Sequence, residues 1–158
     1  MKKLAAFALT FVLAACGFHP MYAPGLAPQL ATIYVEPMAE RDGYELRNQL
    51  IDLLRSNGIE AGKRYRLTVR LNQTSRGVAL QNDATITRYN DTLEASYVLT
   101  DMAGDTVTSG SQTSLSSYNV ADSPYSTLSA QRDSSKRAAQ DIAQRIQTDL
   151  AAYFRQRR

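Results

Sequence analysis

The chain has 158 residues, 18 basic against 15 acidic, with a single histidine and a single cysteine. That length holds one ordinary domain with one core, and a lone cysteine excludes a disulfide framework. The isoelectric point near 9.1 is inflated by two lysines within the first three residues, so the composition does not argue for a nucleic-acid partner.

Met1-Lys2-Lys3 precedes an apolar run, Leu4 to Ala15, in which Thr10 is the only polar member. This is the charged n-region and apolar h-region of a secretory signal, too short to span a bilayer stably. The run closes on Leu13-Ala14-Ala15-Cys16-Gly17, which matches the bacterial lipobox. In that motif small residues admit the cleaving peptidase, and the Cys16 sulfur takes a diacylglyceryl group, followed by an N-acyl chain. The competing reading is an ordinary signal peptide that happens to end in a cysteine. A lone thiol in an exported chain favours acylation, and at about 0.8 kcal/mol per buried CH2 two or three acyl chains attach effectively for good. Gly17 stands where lipoproteins retained in the inner membrane of Gram-negative bacteria usually carry Asp, which points to the periplasmic face of the outer membrane. Cleavage after residue 15 removes both lysines and no acid, leaving 143 residues with 16 basic side chains against 15 acidic ones.

From Gly17 to Gln29 the chain holds Pro20, Pro24 and Pro28 with two glycines, a pattern that blocks helix and predicts an extended tether. Thr32-Ile33-Tyr34-Val35 is β-branched and aromatic and is stopped by Pro37, a first strand. Between Glu40 and Gly58 the period changes: Leu46, Leu50, Leu53 and Leu54 recur at helical spacing, and Asn57-Gly58 supplies a left-handed stop. That leucine stripe is the width of a face laid on the protein's own sheet rather than of a partner groove.

Lys63 to Thr74 alternates, with Leu67, Val69 and Leu71 on one face and Arg66, Thr68, Arg70 and Asn72 on the other, a half-buried strand. Ser75 to Asp83 carries turn chemistry. Ala84 to Met102 then forms a long strand, and Ala103-Gly104-Asp105 turns it into a partner running from Thr106 to Tyr118. This last strand is small and polar on both faces, which fits either a solvated edge strand or a hydroxyl-rich surface that meets water, sugars or a polar protein lumen. Ser126 to Arg157 contains no Gly or Pro. Its stripe of Ala139, Ile142, Ala143, Ile146, Leu150, Tyr153 and Phe154 predicts a second helix, with Asp133–Arg137 and Asp141–Arg145 as external pairs four apart. The terminal arginines suit the helix C-terminus.

The order β-α-β-β-β-α predicts an α+β two-layer sandwich, with two helices on one face of a four-stranded, mostly antiparallel sheet. Residues 1–15 form the signal peptide, 16–29 the lipidated cysteine and tether, and 30–158 the domain. The opposite sheet face stays open and polar.

Catalytic groupings do not assemble from this sequence. His19 lies in the tether without a partner, Cys16 is consumed by lipid, and no Gly-x-Ser-x-Gly elbow or phosphate loop occurs. The expectation is a binding or assembly protein, not an enzyme, with no metal and no cofactor beyond the covalent lipid. The strongest binding feature is Thr87-Arg88-Tyr89-Asn90-Asp91, in which Arg88 offers a charged fork and Tyr89 an aromatic platform to an amphipathic phosphate. A solvated strand arginine beside a bulge is the plainer reading.

The chain resembles the LptE family, outer-membrane lipoproteins that partner the LptD barrel in lipopolysaccharide assembly. The residues that carry the resemblance are Cys16-Gly17-Phe18-His19-Pro20 with Met21-Tyr22, Leu46-Arg47-Asn48-Gln49-Leu50 with Asn57-Gly58, Ala84 to Tyr89 with Leu93 to Leu99, and Arg137-Ala138-Ala139. The resemblance implies the same two-helix, four-stranded sandwich, seated as a plug in the barrel lumen, where a polar sheet face suits a polar wall. It further implies contact with lipopolysaccharide through Arg88 and, with a shorter spacing in this chain, Arg132. The alternative function is a ligand-binding or accessory lipoprotein of another outer-membrane assembly complex.

Overall fold

A computed structural model describes residues 26–55, 62–80 and 86–157. In chain order the elements are α1 (Leu26–Leu30), β1 (Ile33–Val35), α2 (Glu40–Leu54), β2 (Tyr65–Leu80), β3 (Ile86–Asp101), β4 (Thr106–Asn119) and α3 (Pro124–Gln156). The strands lie in the order β1-β2-β3-β4, with β1 parallel to β2 and the other pairs antiparallel. This is the expected α+β sandwich, with one short helix added before the first strand.

Periodicity explains the core directly. Leu46, Leu50 and Leu54 from α2 and Ala139, Ile142, Ala143, Ile146, Leu150 and Phe154 from α3 are buried against Leu67, Val69, Leu93, Ala95, Tyr97 and Leu99 of the sheet. The helices also tie to each other, since Gln147 Nε2 donates to the Leu53 carbonyl at 3.0 Å. Because β1 contributes only three pairs, side chains reinforce it. Lys63 Nζ donates to the carbonyls of Ala31 (2.9 Å) and Ile33 (3.2 Å), and Arg47 Nε to that of Val35 (3.3 Å).

The hydroxyl-rich strand β4 is the sheet's edge, and its helix-facing side is a polar seam. Gln112 Nε2 donates to Asp149 Oδ2 at 2.6 Å, Tyr97 Oη donates to the same oxygen at 2.9 Å, and Ser114 Oγ donates to Asp141 Oδ2 at 2.8 Å. Small polar residues let α3 approach closely, and its carboxylates satisfy them. Burial, and then the Asp149 carboxylate, push the Tyr97 phenol well above its ordinary range. Gly110 completes the fit: a Cβ there would lie 2.6 Å from Tyr97 Oη.

Asp141 also takes Arg145 Nε at 3.0 Å, and chiefly that bond, with help from Ser114, holds its carboxyl below the ordinary range. The stability it supplies is therefore complete above the ordinary carboxylate range and drains as pH falls through the lowered value. Asp141→Asn, which keeps an acceptor for Ser114, is expected to lower Tm slightly at neutral pH, as suits a half-exposed pair. In thermal melts from pH 7 to pH 3 the gap from wild type closes. A gap that widens on acidification would contradict this.

Two expectations need correction. The tether does not stay extended to Gln29, because Leu26–Leu30 is helical; Pro28 is accommodated because amides in the first turn have no helical partner to lose. Ser75 to Leu80 is not a turn but a continuation of β2, held by the pairs Ser75↔Asp91, Arg76↔Asn90 and Gly77↔Tyr89. Gly77 lies close against Ile86 there: a Cβ would sit 2.8 Å from Ile86 Cδ1, so the isoleucine would have to shift. The first long helix ends at Leu54; the Asn57-Gly58 stop lies outside the described residues, as do Cys16, His19 and Arg158.

Candidate functional site

Strand alternation decides what Arg88 and Tyr89 can do together. Arg88 is exposed on the open sheet face, where its Nη2 donates to Ser117 Oγ at 2.7 Å across β3 and β4. Tyr89 stands on the opposite face and stacks on its cross-strand neighbour Tyr118, with ring centroids 5.5 Å apart and planes 17° from parallel. The fork and the platform therefore do not grip a ligand from the same side. Arg88 instead joins a wet face shared with Arg66, Thr68, Arg70 and Asn72, the set expected from β2. Glu36 enters this face from beyond β1, accepting from Arg66 Nη1 at 3.0 Å and Thr68 Oγ1 at 2.8 Å. Those bonds, Thr68 first, lower its carboxyl pKa.

Arg132 lies on the helix side. Together with Arg41, Asp42, Glu45, Ser129, Asp133 and Lys136 it lines a cavity of about 240 Å³ between the starts of α2 and α3. A neighbouring cavity of about 250 Å³ shares Arg41, Asp42 and Arg132 and adds Gln73, Leu128, Gln131 and Ser135. Arg132 and Arg88 are thus on different layers of the sandwich. Arg41 and Lys136 were missed from the sequence. Lys136 had a usable signal, four residues after Arg132 on the same helix face; Arg41 comes from another helix and had none.

Asp42 is also raised in pKa, mainly by burial. Asp91, the last residue of the expected Thr87–Asp91 binding feature, is a strand residue only 1% exposed. Ser75 Oγ donates to its Oδ1 at 2.6 Å, while Oδ2 has no protein partner. Burial, and then the charge of Asp91, raise the nearby Tyr118 phenol.

A third concavity, about 400 Å³, opens between β2 and the start of α2. Met38, Gly43, Val69, Leu71 and Leu93 give it an apolar floor, and Glu40, Asp42, Arg70 and Gln73 a polar rim. Glu40 has φ +63°, a left-handed conformation that costs a residue with a Cβ about 1–2 kcal/mol. Among the described residues no group of three or more His, Cys, Asp or Glu side chains is placed to hold a metal.

These features define the class: a two-layer α+β domain with one largely polar sheet face left uncovered and clefts of mixed charge at the helix starts. The chain belongs to the LptE family, whose model, described as lipopolysaccharide-assembly, matches residues 30–150. A Caulobacter crescentus structure described as a lipoprotein is 31% identical, with TM-score 0.72, over 85% of this chain and 98% of that one. A minor lipoprotein from Acinetobacter baumannii (23% identity, TM-score 0.56, 76% and 90% covered) and rare lipoprotein B from Shewanella oneidensis (14%, 0.51, 76% and 92%) share the fold. Comparison with curated proteins finds no match. The family consists of non-enzymatic outer-membrane lipoproteins of Gram-negative bacteria that serve lipopolysaccharide assembly.

Proposed function

We propose that this protein is anchored through lipidated Cys16 to the periplasmic face of the outer membrane, where it plugs and supports an LptD-type β-barrel that assembles lipopolysaccharide into the outer leaflet. The observation that carries the reading is the uncovered sheet face. Arg66, Arg70, Arg88 and serines and threonines of β4 make most of it polar, interrupted by exposed Tyr34, Val98 and Leu115, which suits a domain inside a polar barrel lumen. Affinity purification of the full-length lipoprotein from native outer membranes, followed by mass spectrometry, tests it. Recovery of a large LptD-type barrel is expected. Recovery of another assembly complex, or of the lipoprotein alone, would overturn the reading.

Lipopolysaccharide phosphates are taken by Arg88 on the open face and by Arg132 in the helix-side cleft, with Tyr89 outside the direct contact. Arg88→Glu is expected to weaken lipopolysaccharide binding about tenfold, in line with a lost charge-assisted contact. Its Tm stays within a degree or two, since the residue is exposed. Arg132→Glu gives a separate, additive loss if the two sites act independently. Unchanged binding in both variants would dismiss the contact.

A further inference from the structure

Among the described residues, strand β2 carries a backbone edge without a partner, and its direction follows from one hydrogen bond. The Glu36 amide donates to the Leu67 carbonyl at 3.0 Å, so Leu67 turns its backbone groups toward the β1 side. Along a strand these groups alternate in direction. The register stays regular from Tyr65 to Gly77, so Val69, Leu71, Gln73 and Ser75 present their N–H and C=O groups to the same side. There β1 has ended: its pairs reach only Leu67, and Pro37 turns the chain away. No backbone partner meets these four residues among the described residues.

The concavity of about 400 Å³ lies against this edge. Val69, Leu71 and Gln73 line it with the same alternate residues that offer the free backbone groups, and Met38 and Leu93 supply apolar depth. A row of donors and acceptors repeating every two residues, backed by an apolar recess, is complementary to an extended chain. Backbone pairing would satisfy the edge, and alternate side chains would enter the recess. Neither a helix nor a small ligand satisfies such a row. The edge also borders the open face through Arg70 and Asn72, the surface assigned above to the barrel.

We propose that an extended segment of the barrel partner adds to the sheet along Val69–Ser75 of β2, continuing the line of β1. This rests on the barrel reading above, and the two fail separately. If the wild-type lipoprotein recovers no barrel, the reading falls; if it recovers the barrel but the tests below fail, only the strand addition falls.

The test compares Gln73→Pro with Gln73→Ala in the full-length lipoprotein, titrated against its detergent-solubilised barrel. Proline deletes one outward N–H, and Gln73 pairs with Leu93 at a position outside the β2–β3 hydrogen-bond ladder, so that ladder keeps its bonds. Gln73→Pro is expected to bind about fivefold more weakly than Gln73→Ala, the worth of one backbone hydrogen bond, since both variants lose the same side chain and only proline loses the N–H. Amide exchange gives a readout independent of any variant: the Val69, Leu71 and Gln73 amides become protected when the barrel binds. Equal affinities for the two variants, unchanged exchange in the complex, or protection that rises with lipoprotein concentration alone, as a second copy would cause, each overturns the proposal.

Discussion

Gly110→Val is expected to destabilise the domain by about 2–5 kcal/mol. Strand propensity alone points the other way, since valine outranks glycine in a strand by up to about 1 kcal/mol. Geometry overrides it. The added Cβ would sit 2.6 Å from Tyr97 Oη and 2.8 Å from Cζ, and Tyr97 is only 4% exposed, with no room to retreat. Overpacking costs about 1–3 kcal/mol. Displacing the ring also breaks its bond to Asp149 and strands a buried hydroxyl, about 1–3 kcal/mol more. Against a total of about 5–15 kcal/mol for a domain this is a large share. Urea unfolding measures it, and the coupling identifies the cause: with Tyr97→Leu already in place, Gly110→Ala should cost far less than it does in the wild-type background. A rise in stability for Gly110→Val would show that β4 and α3 are not packed as described.

The second large effect is all-or-none. Cys16→Ser removes the proposed acyl acceptor, and the variant, exported behind an ordinary cleavable signal peptide and produced in excess of any barrel partner, is then expected in the soluble periplasmic fraction instead of the outer membrane. No helix among the described residues is long and apolar enough to cross a membrane. A single acyl chain gives only marginal, reversible attachment; losing all of them leaves only protein contacts. Fractionation with mass spectrometry of the mature N-terminus checks both parts: wild type carries the mass of its acyl chains, and the variant does not. A Cys16→Ser protein that is still membrane-bound in that excess, without added lipid mass, would refute the anchor.

The helices and the sheet were legible because burial follows the two elementary periods. Leu46, Leu50 and Leu54 recur at helical spacing and Leu93, Ala95, Tyr97 and Leu99 at strand spacing, and each set meets the core. The far half of β2 was illegible for the converse reason. Residues 72–78 are exposed, so no apolar alternation marks them as strand, and pairing with β3 overrides their turn-like composition. The polar seam could not be read either, because Gln112 and Asp149 are 37 positions apart and only the packing of α3 on β4 joins them. For the site, alternation alone was enough to separate Arg88 from Tyr89, a signal present in the sequence. The cleft at Arg132 needed two helices to be placed side by side, and no local pattern encodes that.

The three-residue strand β1, clamped by Lys63 and Arg47, has a mechanical consequence. A chain held from its N-terminal side meets any load first at α1 and β1. Because β1 runs parallel to β2, a tug along the strand direction strains the three pairs and the cationic clamps together, in shear, rather than opening them one after another. A sideways pull peels the same strand from the sheet's edge. The domain is therefore strong along one axis and weak across it, and its first point of mechanical yield lies at β1.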